Sequence, residues 1–185
     1  MIQFHLKERE LIEEFMKPIQ NYGQKPHGGL WSSTFHETYG SDWIQWLMCE
    51  EFSKEENKEF KGYLLTPKKD VKLYTVNSFE DSRKLIQEYG YISPSFQEAA
   101  KRIEQANGKH ALDLWQYIDY ERMSLEYDGF HLTRDGFLDT YLGTQPYLDI
   151  FDGFDCECTI WFRWVFEKIE KTIVKPKRQP KWGRG

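Results

Sequence analysis

Glu157 is the residue whose neighbours best prepare it for chemistry. It stands in Phe154-Asp155-Cys156-Glu157-Cys158-Thr159-Ile160-Trp161-Phe162, an apolar, aromatic and β-branched run with a carboxylate set inside it. This composition predicts a central, buried strand. Alternation puts Cys156, Cys158, Ile160 and Phe162 on one side, and Asp155, Glu157, Thr159 and Trp161 on the other. A carboxylate in such a strand costs free energy unless it has partners or a task. One possible task is to stabilise positive charge that develops in a transition state. The residues alone leave open a plainer role, a salt bridge at a strand edge.

The second stretch with chemical potential is Lys25-Pro26-His27-Gly28-Gly29-Leu30-Trp31-Ser32-Ser33-Thr34-Phe35. Gly28 and Gly29 allow backbone to approach another group closely. Trp31 offers a flat face, and Ser32, Ser33 and Thr34 offer hydroxyls, on what reads as a strand. Together they suit a planar ring that carries polar groups. Lys25 can meet a phosphate as a point charge. The other reading is a Gly-rich turn leading into an amphipathic strand, with Trp31 in the core. His27, His36 and Tyr39 flank the stretch, and His131 comes from a short strand further on. Asp155 stands close enough in sequence to assist Glu157.

Both stretches need a scaffold. Ile2 to Leu6 reads as an opening strand carrying His5. Glu8 to Lys17 has Leu11, Ile12, Phe15 and Met16 at helical spacing, and Pro18 ends it. Ser41 caps a helix with Trp43, Trp46 and Leu47 on one face. Glu50 to Lys61 is a solvated, charged segment. Phe60 to Thr66 and Val71 to Val76 read as two strands of a hairpin around Pro67-Lys68-Lys69-Asp70. Ser78-Phe79-Glu80-Asp81 opens a helix that stops at Gly90, and Ser95-Phe96-Gln97-Glu98 opens another that ends near Gly108. A further helix is expected over about Ala111 to Leu125, a turn and short strand over Tyr127 to Thr133, and a loop over Tyr141 to Gly153. An amphipathic stretch then runs to Val174. The fold class is α+β.

The 185 residues suit one domain, 1–174, followed by a basic tail, 175–185. The tail, with Lys175, Lys177, Arg178, Lys181 and Arg184, reads as disordered, and is either solubilising or able to touch phosphates or an acidic partner. A net charge of −5 argues against a surface built throughout for nucleic acid. Three cysteines, Cys49, Cys156 and Cys158, make no disulfide framework and fit a reducing compartment. Cys156-x-Cys158 without a second pair is a weak metal signal, and no metal is expected. Residues 1–20 do not read as a leader, and no apolar run reaches membrane-spanning length. A cytoplasmic, soluble protein with no membrane partner is expected.

The order of these pieces resembles the ADP-ribosyltransferase-like fold, a compact split β-sheet core with peripheral helices that clamps NAD⁺. It is most similar to a group of small bacterial and phage proteins with a Lys-Pro-x-Gly-Gly-Leu-Trp stretch, here Lys25 to Trp31. In that group a Tyr-Asp-Gly strand, here Tyr127-Asp128-Gly129, precedes a last Asp-x-acid strand, here Asp155-Cys156-Glu157. The likeness covers about residues 1 to 165. It implies that His5 contacts the adenosine-side ribose of NAD⁺. It implies that Trp31, Ser32 and Ser33 pack on the nicotinamide and its ribose, beside Lys25, Gly28 and Gly29. Glu157 would bond the nicotinamide ribose and orient the acceptor, whether protein, nucleic acid, small molecule or water. The implied activity is cleavage of the nicotinamide–ribose bond, by an ADP-ribosyltransferase or an NAD⁺ glycohydrolase. Ser32-Ser33-Thr34 is similar to, not the same as, the usual Ser-Thr-Ser, and Cys158 stands where small hydroxyl residues are usual. A non-catalytic protein of the same fold, holding a nucleotide-like ligand or a protein partner in phage–host conflict, is the alternative.

Overall fold

In the computed structural model, residues 1–49, 58–92, 97–98, 101–102, 105, 117–142 and 149–177 are described. They form a mixed α/β structure around one large sheet. Its strands are β1 (Gln3–Leu6), β2 (Leu30–Thr34), β3 (Phe60–Pro67), β4 (Leu73–Val76), β7 (Gly129–Leu132), β8 (Cys158–Trp161) and β9 (Phe166–Val174), and a small pair is made by β5 (Gly90–Tyr91) and β6 (Tyr117–Ile118). The helices are α1 (Asp42–Cys49), α2 (Phe79–Tyr89), α3 (Tyr120–Glu126) and α4 (Arg134–Leu142). The seven strands lie in the order β4-β7-β8-β2-β1-β3-β9. The β4–β7 pair is parallel, and every other pair in this sheet is antiparallel.

The expected alternation along the Glu157 segment holds where it forms strand. Cys158 and Ile160 enter one apolar cluster, with Phe130, Leu132 and Phe154, while Trp161 enters another, with Leu11, Leu30, Leu65 and Phe166. All four residues of β8 are buried, as a strand covered on both faces requires. A third cluster packs Phe4, Ile44, Met48, Phe60 and Val174 between α1 and the β1–β3–β9 part of the sheet. The ladder between β1 and β2 has two residue pairs only, Gln3 with Thr34 and Phe4 with Ser33. Beyond it, His5 Nδ1 donates to the Trp31 carbonyl at 2.6 Å, so a side chain replaces the next ladder bond. The sheet is thus two halves joined over a short seam.

Some expectations needed correction. Phe60–Pro67 and Leu73–Val76 are strands, but they make no hairpin. β3 pairs with β1 and β9, and β4 pairs with β7. Alternation fixes which face a strand buries, not which strand lies beside it. Glu8 to Lys17 holds only a single 3₁₀ turn, Glu13–Phe15, with extended backbone at Ile12 and Met16. Leu11 and Met16 pack individually onto the Trp161 cluster, and Pro18 disfavours helix at Lys17. In α1 the buried apolar side chains are Ile44 and Met48, with Trp43, Trp46 and Leu47 half-buried. The helix expected over Ala111 to Leu125 begins only at Tyr120 among the described residues, after the β6 strand. The Ser95 capping box lies largely outside the described residues, as does the chain after Lys177.

The caps at Ser78 and Ser41 form as read. Ser78 Oγ accepts from Asp81 N at 3.2 Å, and Ser41 Oγ accepts from Ile44 N at 3.2 Å. Helix α4 lies where the pattern suggested no element. Thr133 caps it, accepting from Gly136 N at 3.1 Å. Gly136 inside it lies where a Cβ would fall 2.3 Å from the Val76 carbonyl oxygen. The glycine that weakens the helical signal is what lets α4 pack on β4. At the chain's other end, Lys177 N donates to the Thr38 carbonyl at 3.1 Å and Lys175 pairs with Glu59, so the first tail residues are docked.

None of the three cysteines is in a disulfide. Burial pushes the Cys156 and Cys158 thiols well above their ordinary range, and the Glu157 charge adds to it at both. Under native conditions a thiol reagent is expected to label half-buried Cys49 at least tenfold faster than the other two. Mass spectrometry of partially labelled protein reads this, and equal labelling would show the β8 segment open. Among the described residues no helix is long and apolar enough to cross a membrane.

Candidate functional site

Glu157 immediately precedes β8, at the end of the sheet where β2 and β7 flank it. The residue is only 5% exposed. Ser33 Oγ donates to Oε2 at 2.5 Å, and Thr34 N donates to the same oxygen at 2.9 Å. Thr34 Oγ1 donates to Oε1 at 2.9 Å, and His131 Nε2 lies 3.0 Å from Oε1. A carboxylate oxygen accepts, so Nε2 carries a hydrogen. Burial alone would raise the Glu157 pKa. The bonds from His131, Ser33 and Thr34, with the attraction of His131, outweigh burial and hold it below the usual carboxylate range. The acid is therefore an anion at neutral pH, fixed in position.

Register explains how these groups meet. β2 runs antiparallel to β8, with Leu30 opposite Trp161, Trp31 opposite Ile160 and Ser32 opposite Thr159. β7 lies on the other side of β8, with His131 opposite Thr159. The same pairing continued brings Thr34 to Glu157, and His131 reaches it diagonally. A second buried chain of bonds supports the first. Trp161 Nε1 donates to Ser32 Oγ at 2.7 Å, Ser32 Oγ donates to Gln3 Oε1 at 2.8 Å, and Gln3 Nε2 donates to Thr34 Oγ1 at 3.2 Å. Fully satisfied polar networks of this kind fix geometry.

Glu157 opens onto a polar cleft of about 300 Å³ lined also by Thr34, His36, Tyr39, Asp42, His131 and Arg134. His36 stacks on Tyr39 with ring centroids 4.3 Å apart. Arg134, at the start of α4, reaches Asp42 of α1 at 3.7 Å and lies near the Tyr39 side chain. Asn77, Thr133 and Asp135 complete the wall. Three carboxylates against one guanidinium make the cleft attractive to a cationic or hydroxyl-rich ligand. An anion held this firmly can stabilise positive charge on a carbon bound beside it.

The other residues singled out from the sequence lie elsewhere. Ser32 is fully buried in the Trp161–Gln3 chain, while Ser33 joins Glu157. His5, Gly29, Leu30 and Trp31 line a separate groove of about 280 Å³, with Leu11, Phe15, Trp43 and Trp164. That groove lies where β1 and β2 part. Lys25 sits over the Trp31 and Phe154 rings, with its Nζ 5.8 and 5.5 Å from their centroids, and pairs with Asp155 at 3.6 Å. Asp155 therefore turns to Lys25 rather than to Glu157. His27 stacks on Tyr22 at 3.8 Å. Gly28 and Gly29 have their open side filled by the chain itself: a Cβ would fall 2.0 Å from the Pro18 carbonyl oxygen and 2.7 Å from that of Trp161.

Neither arginine near the segment pairs with Glu157: Arg163 pairs with Asp128 at 3.3 Å, and Arg134 with Asp42. Sequence reasoning raised His36, Tyr39 and His131 as possible neighbours, and the fold gathers all three. It missed Asp42 and gave Arg134 no place in the site. The Thr133 cap was the one local signal that could have set Arg134 at a helix start.

Glu157 and His5 are among the groups that tie stability to pH. Glu157 and the partly buried His5 both titrate lower in the folded protein than their ordinary 4.5 and 6.5. For His5 burial is the main cause, and Lys7 adds to it against the raising effect of the Trp31 carbonyl. A depressed pKa means that the unfolded chain binds more protons in the window between the two values. Their stabilisation is therefore complete above pH 6.5 for His5 and 4.5 for Glu157, and is lost as pH falls through the folded values. The melting temperature is expected to fall below about pH 6.5 and again below about pH 4.5, with His5→Gln reducing the first step, to which His36 also contributes. A flat profile from pH 7 to 4 would contradict the buried positions of both groups.

No protein family, no curated protein and no solved structure matches this chain.

Proposed function

We propose that the chain is an NAD⁺-using enzyme that cleaves the nicotinamide–ribose bond, as an ADP-ribosyltransferase or NAD⁺ glycohydrolase. The observation that carries this reading is the Glu157 carboxylate, almost wholly buried yet held ionised by Ser33, Thr34 and His131 at the wall of a cleft. Breaking that bond builds positive charge on the ribose carbon. A fixed anion stabilises this charge more than it stabilises bound substrate, which lowers the barrier. The acid-rich cleft suits the positive nicotinamide ring, and the stacked His36–Tyr39 pair offers it a flat wall. Trp31, the expected ring platform, and His5 line the other groove, so the cleft supplies the aromatic surface in this reading.

A second reading rests on the count of bonds at Glu157. Ser33, both donors of Thr34, and His131 occupy its two oxygens, about as many bonds as a carboxylate accepts. A carboxylate so satisfied is also a staple that joins β2, β7 and the start of β8. In a non-catalytic binding protein that is all it would do.

The discriminating measurement is thermal shift with NAD⁺ together with nicotinamide release, on the wild type and on Glu157→Gln. Binding with Glu157-dependent release supports the enzyme. Binding without release supports the second reading, and neither binding nor release removes NAD⁺ from the account.

A further inference from the structure

We infer that His36 is the general base that takes the proton from the acceptor, an oxygen nucleophile such as water or a hydroxyl. This deepens the proposed function and rests on it. The transfer needs two groups: an anion to stabilise the ribose cation, and a base to deprotonate the incoming nucleophile. Glu157 is fitted to the first task only, since its oxygens already accept from Ser33, Thr34 and His131. The other members of the cleft wall are poor bases. Asp42 is buried and pairs with Arg134, His131 is turned to Glu157, and Asp135 is an exposed carboxylate at the start of α4. His36 is exposed on the same wall, and no side-chain hydrogen bond of its ring is found among the described residues.

Its position is built. His36 N donates to the Gly40 carbonyl at 2.6 Å, and Gly40 N returns a bond to the His36 carbonyl at 2.8 Å. Gly40 takes φ +82°, and a Cβ there would fall 2.9 Å from Ile44 Cδ1. Tyr39 stacks on the ring, and buried Gln45 holds the Tyr39 carbonyl at 2.7 Å. The titratable and charged groups that share the cleft with the ring are Glu157, Arg134, Tyr39, Asp42, His131 and Asp135. Partial burial and Arg134 lower the His36 pKa, and Glu157 only partly opposes them, so the imidazole is neutral at pH 7.

The step balances as follows. The nicotinamide–ribose C–N bond breaks, and its electron pair leaves with nicotinamide, which becomes neutral. The acceptor oxygen bonds the ribose carbon, and its proton passes to the free ring nitrogen of His36. The imidazolium then releases that proton to solvent.

The test is nicotinamide release from NAD⁺ in water against pH, for the wild type, His36→Ala, His36→Gln and Glu157→Gln, with thermal shift by NAD⁺ as the binding readout. His36→Ala and His36→Gln are expected to lower kcat about 100-fold at saturating NAD⁺ and to lose the acid limb below pH 6.5, while saturating NAD⁺ still raises their melting temperature. Added imidazole is expected to restore part of the rate to His36→Ala. If both His36 variants keep the wild-type rate and pH profile while Glu157→Gln loses release, the inference falls and the proposed function stands. If the wild type releases no nicotinamide, both fall together.

Discussion

Replacing Glu157 by Gln is expected to cut nicotinamide release about 100- to 1000-fold, the usual cost of removing one electrostatic contact to a transition state. The side chain keeps its size, so the loss would reflect charge rather than shape. The same change acts on stability. A carboxylate accepts at both oxygens, whereas an amide turns an N–H₂ group to one of the two sides. On one side that group would face Ser33 Oγ–H and Thr34 N–H, and on the other Thr34 Oγ1–H and His131 Nε2. Hydrogen bonds to charged groups contribute about 1.5–3 kcal/mol, so a loss of about 2 kcal/mol is expected. For a chain of 185 residues that corresponds to a melting temperature lower by about 4–8 °C. The variant therefore stays folded at 25 °C, and its rate can be compared with the wild type. Retention of release within about threefold, with the melting temperature lowered as expected, would leave Glu157 a staple and sink the catalytic assignment.

Among the described glycines, Gly28 is where replacement by Ala is expected to destabilise most. Gly28 takes φ +80°, a region that costs a side-chain-bearing residue about 1–2 kcal/mol. The new Cβ would also fall 2.0 Å from the Pro18 carbonyl oxygen and 3.1 Å from that of Lys17. Backbone cannot yield as a side chain can, and Gly29 N is bonded to the Lys17 carbonyl at 2.8 Å, which holds the two segments together. A total of about 3 kcal/mol or more follows, and a melting temperature lower by about 6–12 °C. Gly23 is the control. It takes φ +57°, but nothing lies within 4 Å of its Cβ position, so Gly23→Ala should cost only the conformational part. Equal melting temperatures for the two variants would show that the Gly28 turn is not packed against Pro18. Stability read by chemical or thermal unfolding suffices here, since neither glycine lines the Glu157 cleft.

The sequence by itself determined local matters. Composition made Cys158–Trp161 a buried strand, alternation sent Cys158 and Ile160 to one cluster and Trp161 to the other, and Ser41 and Ser78 marked helix starts. The oddity of an acid at the edge of that strand was also legible, because a carboxylate among β-branched and aromatic residues stands out without any structure. Tertiary structure decided what the acid meets. Ser33 lies 124 residues away in sequence and His131 26 away, and they arrive only when β2 and β7 take their places on either side of β8. The same holds for the parallel β4–β7 pair in place of a hairpin, and for the union of His36, Tyr39, Asp42 and Arg134 in one wall. Periodicity encodes which face of an element is apolar. Which elements become neighbours, and in what register, depends on the summed packing of the whole chain, and a polar site at the ends of several strands exists only after that register is set.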